Sequence, residues 1–378
     1  MHRPRILVIE NAVAITGGVN SIIRSSEALK DYFEFFFVLP KGSAVLGQFQ
    51  TRNYKVFELP MRELRKNIIS ILLYIPYLLV NIVRLNQLIK SQGITLIVSN
   101  DFYNMLPTCY KIFGGKIPYV CFIRFLPSKF PSPLVSVWCA LHKRYAGSVI
   151  AVSEAVKKEL SFTKNVVVIS DQLPITERHP LGHLLNQEKL TYTFLYLANF
   201  INGKGQNYAL DAFAIVANEL PLWKLRFVGG DMGLIKNKDY KNELIEKSLE
   251  GGIEKKIEWC EFTEDPEFEY KQADIVLNFS ESESFSLTCL DALFFGKPVI
   301  ATDCGGPAEI VNDGETGLLV PNKNVTAMAQ AMIKLATDRK LRSEMSAKSR
   351  YLMLTKFSQE NTSFRLRDVY NLVIKLYA

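Results

Sequence analysis

Short, unbroken apolar runs constrain this chain more than any other feature. "RILVIE" (5–10), "EFFFVLP" (34–40), "TLIVSN" (95–100), "PYVCFIR" (118–124) and "SVIAVS" (148–153) follow one another, separated by helix-length segments. Runs that are apolar at every position, not every second one, must be buried on both faces. That predicts strands of a parallel sheet wrapped in helices. After the first run, "NAVAITGGVN" reads as a loop and "SIIRSSEALKDY" as the first helix. The pattern lapses at "SDQLPITERHPLGHLLNQEKL", with two prolines and mixed polarity, which reads as a linker. It then resumes with "YTFLYLANF", a helix from about Asn207 to Glu219, "LRFVGG", "KIEWCEF", "DIVLNFS" and "PVIATD". The predicted fold is α/β, with two Rossmann-like domains facing each other across a cleft. Expected boundaries are 1–175, a linker over 176–190, 191–355, and a terminal helix over 356–378 packing back toward the first domain.

A chain of 378 residues is long enough for two cores, and 48% hydrophobic with 22% charged residues is ordinary for a globular protein. The start, "MHRPRILVIE", reads as a first strand, since its four apolar residues fall short of a signal-peptide core. "IISILLYIPYLLVNIV" (68–83) is shorter than the roughly 20 residues of a spanning helix, and no transmembrane segment is expected. Six cysteines without a C-x-x-C pair indicate buried thiols, with neither a disulfide framework nor a metal site. Charge is uneven. Residues 1–170 hold 21 Lys/Arg against 9 Asp/Glu, and the remainder hold 24 against 29. A basic first half fits an anionic partner such as a phospholipid surface or a pyrophosphate-bearing acceptor; lysines solvating a surface fit it equally. No nucleic-acid motif is present.

The segment "SESESFSLTCLDALFFGKPVIATDCGGPAEIVNDGETGLLVP" (280–321) carries the chemistry. It reads as a polar loop after a strand, followed by a helix with Leu287, Leu290 and Phe294 toward the core. Ser284 and Ser286 fall at the helix entrance, where free N–H groups favour a diphosphate. Ser286 is equally a plain N-cap. Glu283 and Asp291 are eight residues apart; on one helix they would be separated by about 12 Å and roughly 80°. That is unsuited to flanking one scissile atom, but suits the two ends of an elongated ligand.

In these residues the sequence resembles glycosyltransferase family 4, retaining enzymes of the GT-B fold. The match follows the pattern E-G-F-G-(x4)-E-A-(x3)-G-x-P-V, then G-G-(x2)-E and G-x-x-G-x-L-V, across about forty residues. "FLYLANFINGKGQNYALDAFA" is similar to the family's K-G segment, "LRFVGGDMG" to its G-x-G strand end, and "TGGVNSIIRSSEAL" to its glycine-rich loop. The resemblance implies a nucleoside diphosphate sugar as co-substrate, with no metal or other cofactor. It implies Glu283 and Lys204 as the catalytic pair. Gly17, Gly18, Asn199, Gly229, Gly230, Ser286, Leu287, Thr288 and Asp291 complete the donor site, with Asp291 on the ribose. Arg124 and Asp101 are the acceptor-side candidates. The implied acceptor is a hydroxyl of a glycan or lipid-linked glycan in surface polysaccharide or lipopolysaccharide synthesis. A cytoplasmic location with peripheral contact at the inner membrane face goes with it.

The sequence departs from the pattern at four places. Asp291 replaces a glutamate, E-S-F-S replaces E-G-F-G, and Asn199 replaces an arginine, which leaves Lys204 as the main cation. Arg124 stands where many members have a histidine; it would bind an acceptor phosphate or be a strand-end charge facing solvent. Two further segments bear on the acceptor side. Arg62, Arg65 and Lys66 precede the apolar run 68–83, and Arg84 and Lys90 follow it, which fits an interfacial helix or a buried crossover. "FLPSKFPSPLVSVW" (125–138) reads as a loop that could touch lipid or cap an acceptor pocket. A GT-B nucleotide-sugar epimerase and a non-catalytic GT-B interaction partner are the alternative readings.

Overall fold

The computed structural model describes residues 3–61, 68–174, 190–358 and 360–377, without the side chains of 68–73. These form two compact units, 1–172 with 359–378, and 173–358. The expected linker lies outside the described residues except for Leu190, as do Arg62, Arg65 and Lys66.

The first unit holds seven parallel strands: β1 (Arg5–Ile9), β2 (Glu34–Pro40), β3 (Lys55–Leu59), β4 (Leu96–Ser99), β5 (Tyr119–Ile123), β6 (Ser148–Ala151) and β7 (Val166–Val168). Their order is β3-β2-β1-β4-β5-β6-β7. The connecting helices are α1 (Gly17–Leu29), α2 (Leu46–Gln50), α3 (Ile68–Gln92), α4 (Leu106–Ile112), α5 (Ser132–Tyr145) and α6 (Glu154–Lys158). The second unit holds β8 (Tyr192–Leu197), β9 (Trp223–Val228), β10 (Ile257–Cys260), β11 (Ile275–Asn278), β12 (Val299–Thr302) and β13 (Gly317–Val320), in the order β10-β9-β8-β11-β12-β13. Its helices are α7 (Gln206–Val216), α8 (Ile235–Glu250), α9 (Pro266–Gln272), α10 (Leu287–Phe294), α11 (Pro307–Ile310), α12 (Val325–Thr337) and α13 (Arg339–Lys356). The last helix, α14 (Arg365–Tyr377), packs on β4 and β5 of the first unit.

Among the described residues every ladder is parallel, and the central strands are buried on both sides, as the unbroken apolar runs require, while the edge strands β3, β7 and β10 are only partly covered. Helix α12 packs on α7, closing Phe194, Phe213, Trp223, Phe227, Met328 and Met332 into one core. Both sheets reverse strand order once, at β1/β4 and β8/β11. At such a reversal the neighbouring connections leave in opposite directions and expose the carboxyl edge of the sheet.

Two expectations are corrected. Helix α1 begins at Gly17 because Thr16 Oγ1 accepts the Val19 N–H at 3.3 Å, so both glycines lie in the first helical turn and not in a loop. The segment 125–138 is not all loop: prolines at 131 and 133 start α5 at Ser132.

His142 ties the first unit together internally. Its Nε2 donates to the Phe102 carbonyl at 2.6 Å. Nδ1 accepts from the Tyr119 hydroxyl at 3.0 Å, and Tyr119 also meets Thr108 Oγ1 at 2.9 Å. Burial lowers the imidazole to about 4. The unfolded chain then takes the proton first as acidity rises. His142 therefore contributes in full above about pH 6.5, and its contribution is lost as pH falls from there through 4. Denaturant titrations across this range are expected to show the stability gap between wild type and His142→Gln narrowing toward low pH. A constant gap would refute the assignment.

Candidate donor site at the β8/β11 reversal

The loops after β8 and β11 meet through backbone contacts. Gly205 has φ +86°, and a Cβ there would lie 2.0 Å from the Phe279 carbonyl oxygen. Only glycine permits both the left-handed conformation and the approach. The buried Tyr196 hydroxyl sits in the same seam, accepting the Phe279 N–H at 2.8 Å and donating to the Lys204 carbonyl. The Glu281 N–H donates to the Gly203 carbonyl at 2.9 Å.

This seam brings Lys204 and Glu283 together. Lys204 Nζ lies 2.7 Å from Glu283 Oε1, which also accepts from Ser280 Oγ at 2.9 Å. The Glu283 main chain is held as well: its N–H reaches the Cys304 carbonyl at 3.3 Å, and its carbonyl accepts the Gly306 N–H at 2.8 Å. Gly305 (φ +119°) makes the turn, and a Cβ on Gly306 would meet the Phe285 backbone at 2.3 Å. Glu283 therefore belongs to an extended segment bridged to Gly305, and α10 starts four residues later. Glu283 thus lies in the loop before the helix and does not share α10 with Asp291, so the spacing that a common helix would give does not arise. Asp291 lies inside α10 and is 4% exposed.

Ser286 caps α10. Its hydroxyl accepts the Cys289 N–H at 3.2 Å and a hydrogen bond from Asn278 Nδ2 at 2.9 Å. Its φ of +144° lies in the region that favours glycine, which accounts for glycine in the resembled pattern. With Ser286 serving Cys289, helix geometry leaves the Leu287 and Thr288 N–H groups without intrahelical acceptors. Thr288 Oγ1 is committed to the Leu197 carbonyl at 3.1 Å. Leu287 is half-buried and outside the core, whereas Leu290 and Phe294 are inside it.

Asn199 holds the end of β9: its Oδ1 accepts the Gly230 N–H at 3.2 Å, and a Cβ on Gly229 would stand 2.0 Å from the Ala198 carbonyl. Burial raises the thiols of Cys289 and Cys304 to about 12 and about 11, so neither supplies a thiolate near neutral pH. Among the described residues, no group of three or more His, Cys, Asp or Glu is placed to hold a metal ion.

The reversal in the first unit gathers a different set. Arg124 is 7% exposed, so it is not a strand-end charge facing solvent. Its Nε donates to Asn100 Oδ1 at 2.7 Å, and its Nη1 reaches Ser21 Oγ at 2.8 Å and Asp171 Oδ1 at 2.5 Å. Asn100 Nδ2 donates to Glu10 and, at 3.1 Å, to the Gly18 carbonyl. Burial raises the Glu10 carboxyl above its usual range. It raises Asp101 well above, with help from the negative Glu10. Gly17 and Gly18 stand over this cluster at the head of α1. Gly205, Gly305, Gly306, Tyr196 and Ser280 were not among the residues singled out from the sequence. Of these, only the glycines carried a signal, within "GKG" and "CGG".

Two parallel-sheet, Rossmann-like units with these strand orders define the GT-B class. Residues 185–351 match the family model described as glycosyl transferases group 1. It is 27% identical over 208 residues to an uncharacterized glycosyltransferase of Haemophilus influenzae, covering 54% of this chain and 56% of that one. It is also 27% identical over 191 residues to the poly(glycerol-phosphate) alpha-glucosyltransferase of Bacillus subtilis, covering 49% and 27%. The chain thus spans about half or less of the length of these curated relatives. The crystal structure of Anabaena HepE in complex with UDP-glucose superposes with a TM-score of 0.81 at 18% identity, covering 97% of this chain and 99% of that one.

Gly203 and Gly205 separate backbone strain from collision. Gly203 has φ +91° but open space around its Cβ position. Gly203→Ala is expected to cost roughly 1–2 kcal/mol from conformation alone. Gly205→Ala should cost at least about 3 kcal/mol, since the Phe279 carbonyl must also move. Equal losses in urea titrations would refute the close-approach reading.

Proposed function

We propose that this protein is a retaining glycosyltransferase, which moves a sugar from a nucleoside diphosphate sugar to an acceptor hydroxyl. The observation that carries the reading is the Lys204–Glu283 pair, 2.7 Å apart at the β8/β11 reversal, beside the two open N–H groups of α10. Lys204 and those N–H groups supply positive potential for a diphosphate, and the helix dipole adds to it. Glu283, held by Ser280 and by its own main chain, accepts hydroxyls of the donor sugar. Asp291 takes the ribose, while Gly229 and Gly230 let the nucleoside approach the β9 edge. The UDP-glucose bound to the structurally similar HepE supports a donor of this class.

In the transfer, the bond between the anomeric carbon and the diphosphate oxygen breaks on the face from which the acceptor attacks. The departing diphosphate takes the acceptor proton, and the new glycosidic bond keeps the anomeric configuration. Such a step needs position and charge stabilisation more than a protein nucleophile, consistent with cysteines held as neutral thiols. On the acceptor side, Arg124 orders Asn100 and Asp171, and Asp101 receives the acceptor hydroxyl. The acceptor is a glycan or lipid-linked glycan of surface polysaccharide synthesis, met at the cytoplasmic face of the membrane.

Incubation with a panel of labelled nucleotide-sugars tests the reading. Slow release of free sugar and nucleotide is expected; conversion between sugar isomers would identify an epimerase, and neither binding nor turnover a non-catalytic partner. Lys204→Ala and Glu283→Gln are each expected to lower turnover roughly 100-fold or more, with Glu283→Gln shifting the melting temperature by less than about 4 °C. Unchanged turnover in Glu283→Gln would overturn its assignment.

A further inference from the structure

The chain leaves the first unit after Gln172 and rejoins it after Ser358. Inside that unit, buried polar groups tie the point of departure to the point of return. Gln172 is 3% exposed, and its Oε1 accepts from the Thr362 hydroxyl at 2.7 Å and the Ser363 hydroxyl at 2.6 Å. Its carbonyl accepts from Arg24 Nη1 at 3.3 Å. Thr362 and Ser363 are buried on a single π-helical turn, Glu360–Phe364, which leads into α14. Such turns are rare and recur at functional sites.

One residue earlier, Asp171 carries the contacts on toward the carboxyl edge of the sheet. It accepts from Arg124 Nη1 at 2.5 Å and from the Ser21 hydroxyl on α1. Arg124 Nε donates to Asn100 Oδ1 at 2.7 Å, and Asn100 Nδ2 donates to the Gly18 carbonyl at 3.1 Å. The head of α1 is thereby joined to the turn 360–364 through Asn100, Arg124, Asp171 and Gln172, all of them buried. Packing does not require this connection. Leu366, Tyr370 and Val373 already bury α14, each 1% exposed. Apolar side chains of similar size would fill the same volume at equal or lower cost than an ion pair withdrawn from water. They would not fix direction, whereas a guanidinium and an amide accept only particular partner geometries.

We propose that Asp171 and Gln172 are positioning residues: with Arg124 they hold Asn100 and the first turn of α1 in fixed relation to the turn 360–364. A displacement at Gln172 then reaches Gly18 through groups that tolerate little change of angle. Misplacement by about 1 Å at the chemistry can cost roughly 100-fold in rate, so a remote contact of this kind matters to turnover. Gly17 and Gly18 are donor-side candidates, and Asp101, next to Asn100 in sequence, is an acceptor-side one. The effect on turnover therefore rests on the transferase reading; the ordering of α1 by Gln172 does not.

Hydrogen exchange of the full chain, with no ligand added, tests the ordering. Gln172→Leu removes the acceptor that Thr362 and Ser363 share and is expected to lower stability. Adding Thr362→Val and Ser363→Ala should recover most of that stability, since polar partners removed together leave less unpaired. In this triple variant, amides of 17–24 and 100–104 are expected to exchange roughly tenfold faster than in wild type while α14 stays protected. Unchanged exchange there, or faster exchange confined to 360–377, would overturn the proposal. Should circular dichroism show the triple variant misfolded, Thr362→Val alone decides, with exchange about threefold faster at the same amides expected and no change overturning it. With the labelled nucleotide-sugar that wild type hydrolyses, the triple variant should lose about tenfold in kcat while the donor KM stays within about twofold. A kcat that recovers together with stability makes Gln172 a structural residue only and also overturns the proposal. Faster exchange at 17–24 in a chain that hydrolyses no donor supports the ordering and overturns the transferase reading alone.

Discussion

The second unit depends on how closely the chain passes itself at the β8/β11 reversal. The Phe279 carbonyl occupies the place where any side chain on residue 205 would begin, and the Tyr196 hydroxyl spans the two segments from beneath. A residue larger than glycine would push the loops apart, and Lys204 and Glu283 would part with them. The chemical pair is thus a consequence of backbone contact. Gly306 repeats the device on the other side of Glu283, so that the Glu283 backbone is fixed by main-chain hydrogen bonds in both directions, while its carboxylate is held by Lys204 and Ser280. A side chain held in this way loses little freedom when it meets a ligand, which favours binding.

The first unit reaches the same topology with opposite internal chemistry. Its reversal is filled by a buried guanidinium that leans on Asp171, Asn100 and Ser21, with the Phe122 ring 4.6 Å beneath it. A buried cation of this kind is tolerable only while its partners stay, since removing one leaves an uncompensated charge. Arg124 in a slot where the resembled family often has histidine therefore carries obligations as far away as Asp171. The last turns of the chain are fastened close by, because Gln172 Oε1 accepts from Thr362 and Ser363 at 2.7 and 2.6 Å.

The central strands were legible in the sequence because they are buried on both faces and so are apolar throughout. The strands missed were β3, β7 and β13, all at sheet edges. There "KVFEL" is broken by Lys55 and Glu58, "VVV" is too short to stand out, and "GLLV" hides behind glycines. In the site, the acid and the lysine could be named from the pattern, but their contact could not, because it depends on segments 79 residues apart. The boundary of α1 was misplaced because Gly17 and Gly18 suggest a turn until Thr16 is seen to cap them. Ser286 could be read as a cap from its hydroxyl, whereas its φ of +144° had no local signal beyond the glycine in the resembled pattern.

Helix α3 shows most plainly what a one-dimensional reading leaves open. Its apolar run suits burial and an interface equally, since both reward the same residues. The fold decides by turning Asn81, Ile82, Leu85 and Ile89 inward, with Asn81 Nδ2 donating to the Pro60 carbonyl at 3.2 Å. The amide is thus inside, while Leu79, Val80 and Val83 are outside. Water on the outer face would favour the reverse arrangement, with the amide exposed and the aliphatic side chains covered. The same order recurs on α5, where His142 is inside while Leu134 and Val137 are outside. Two helices, separated in sequence by a third, share this inverted polarity, and the exposed Glu159 carboxylate is fastened to Ser128 on the loop that leads into the second.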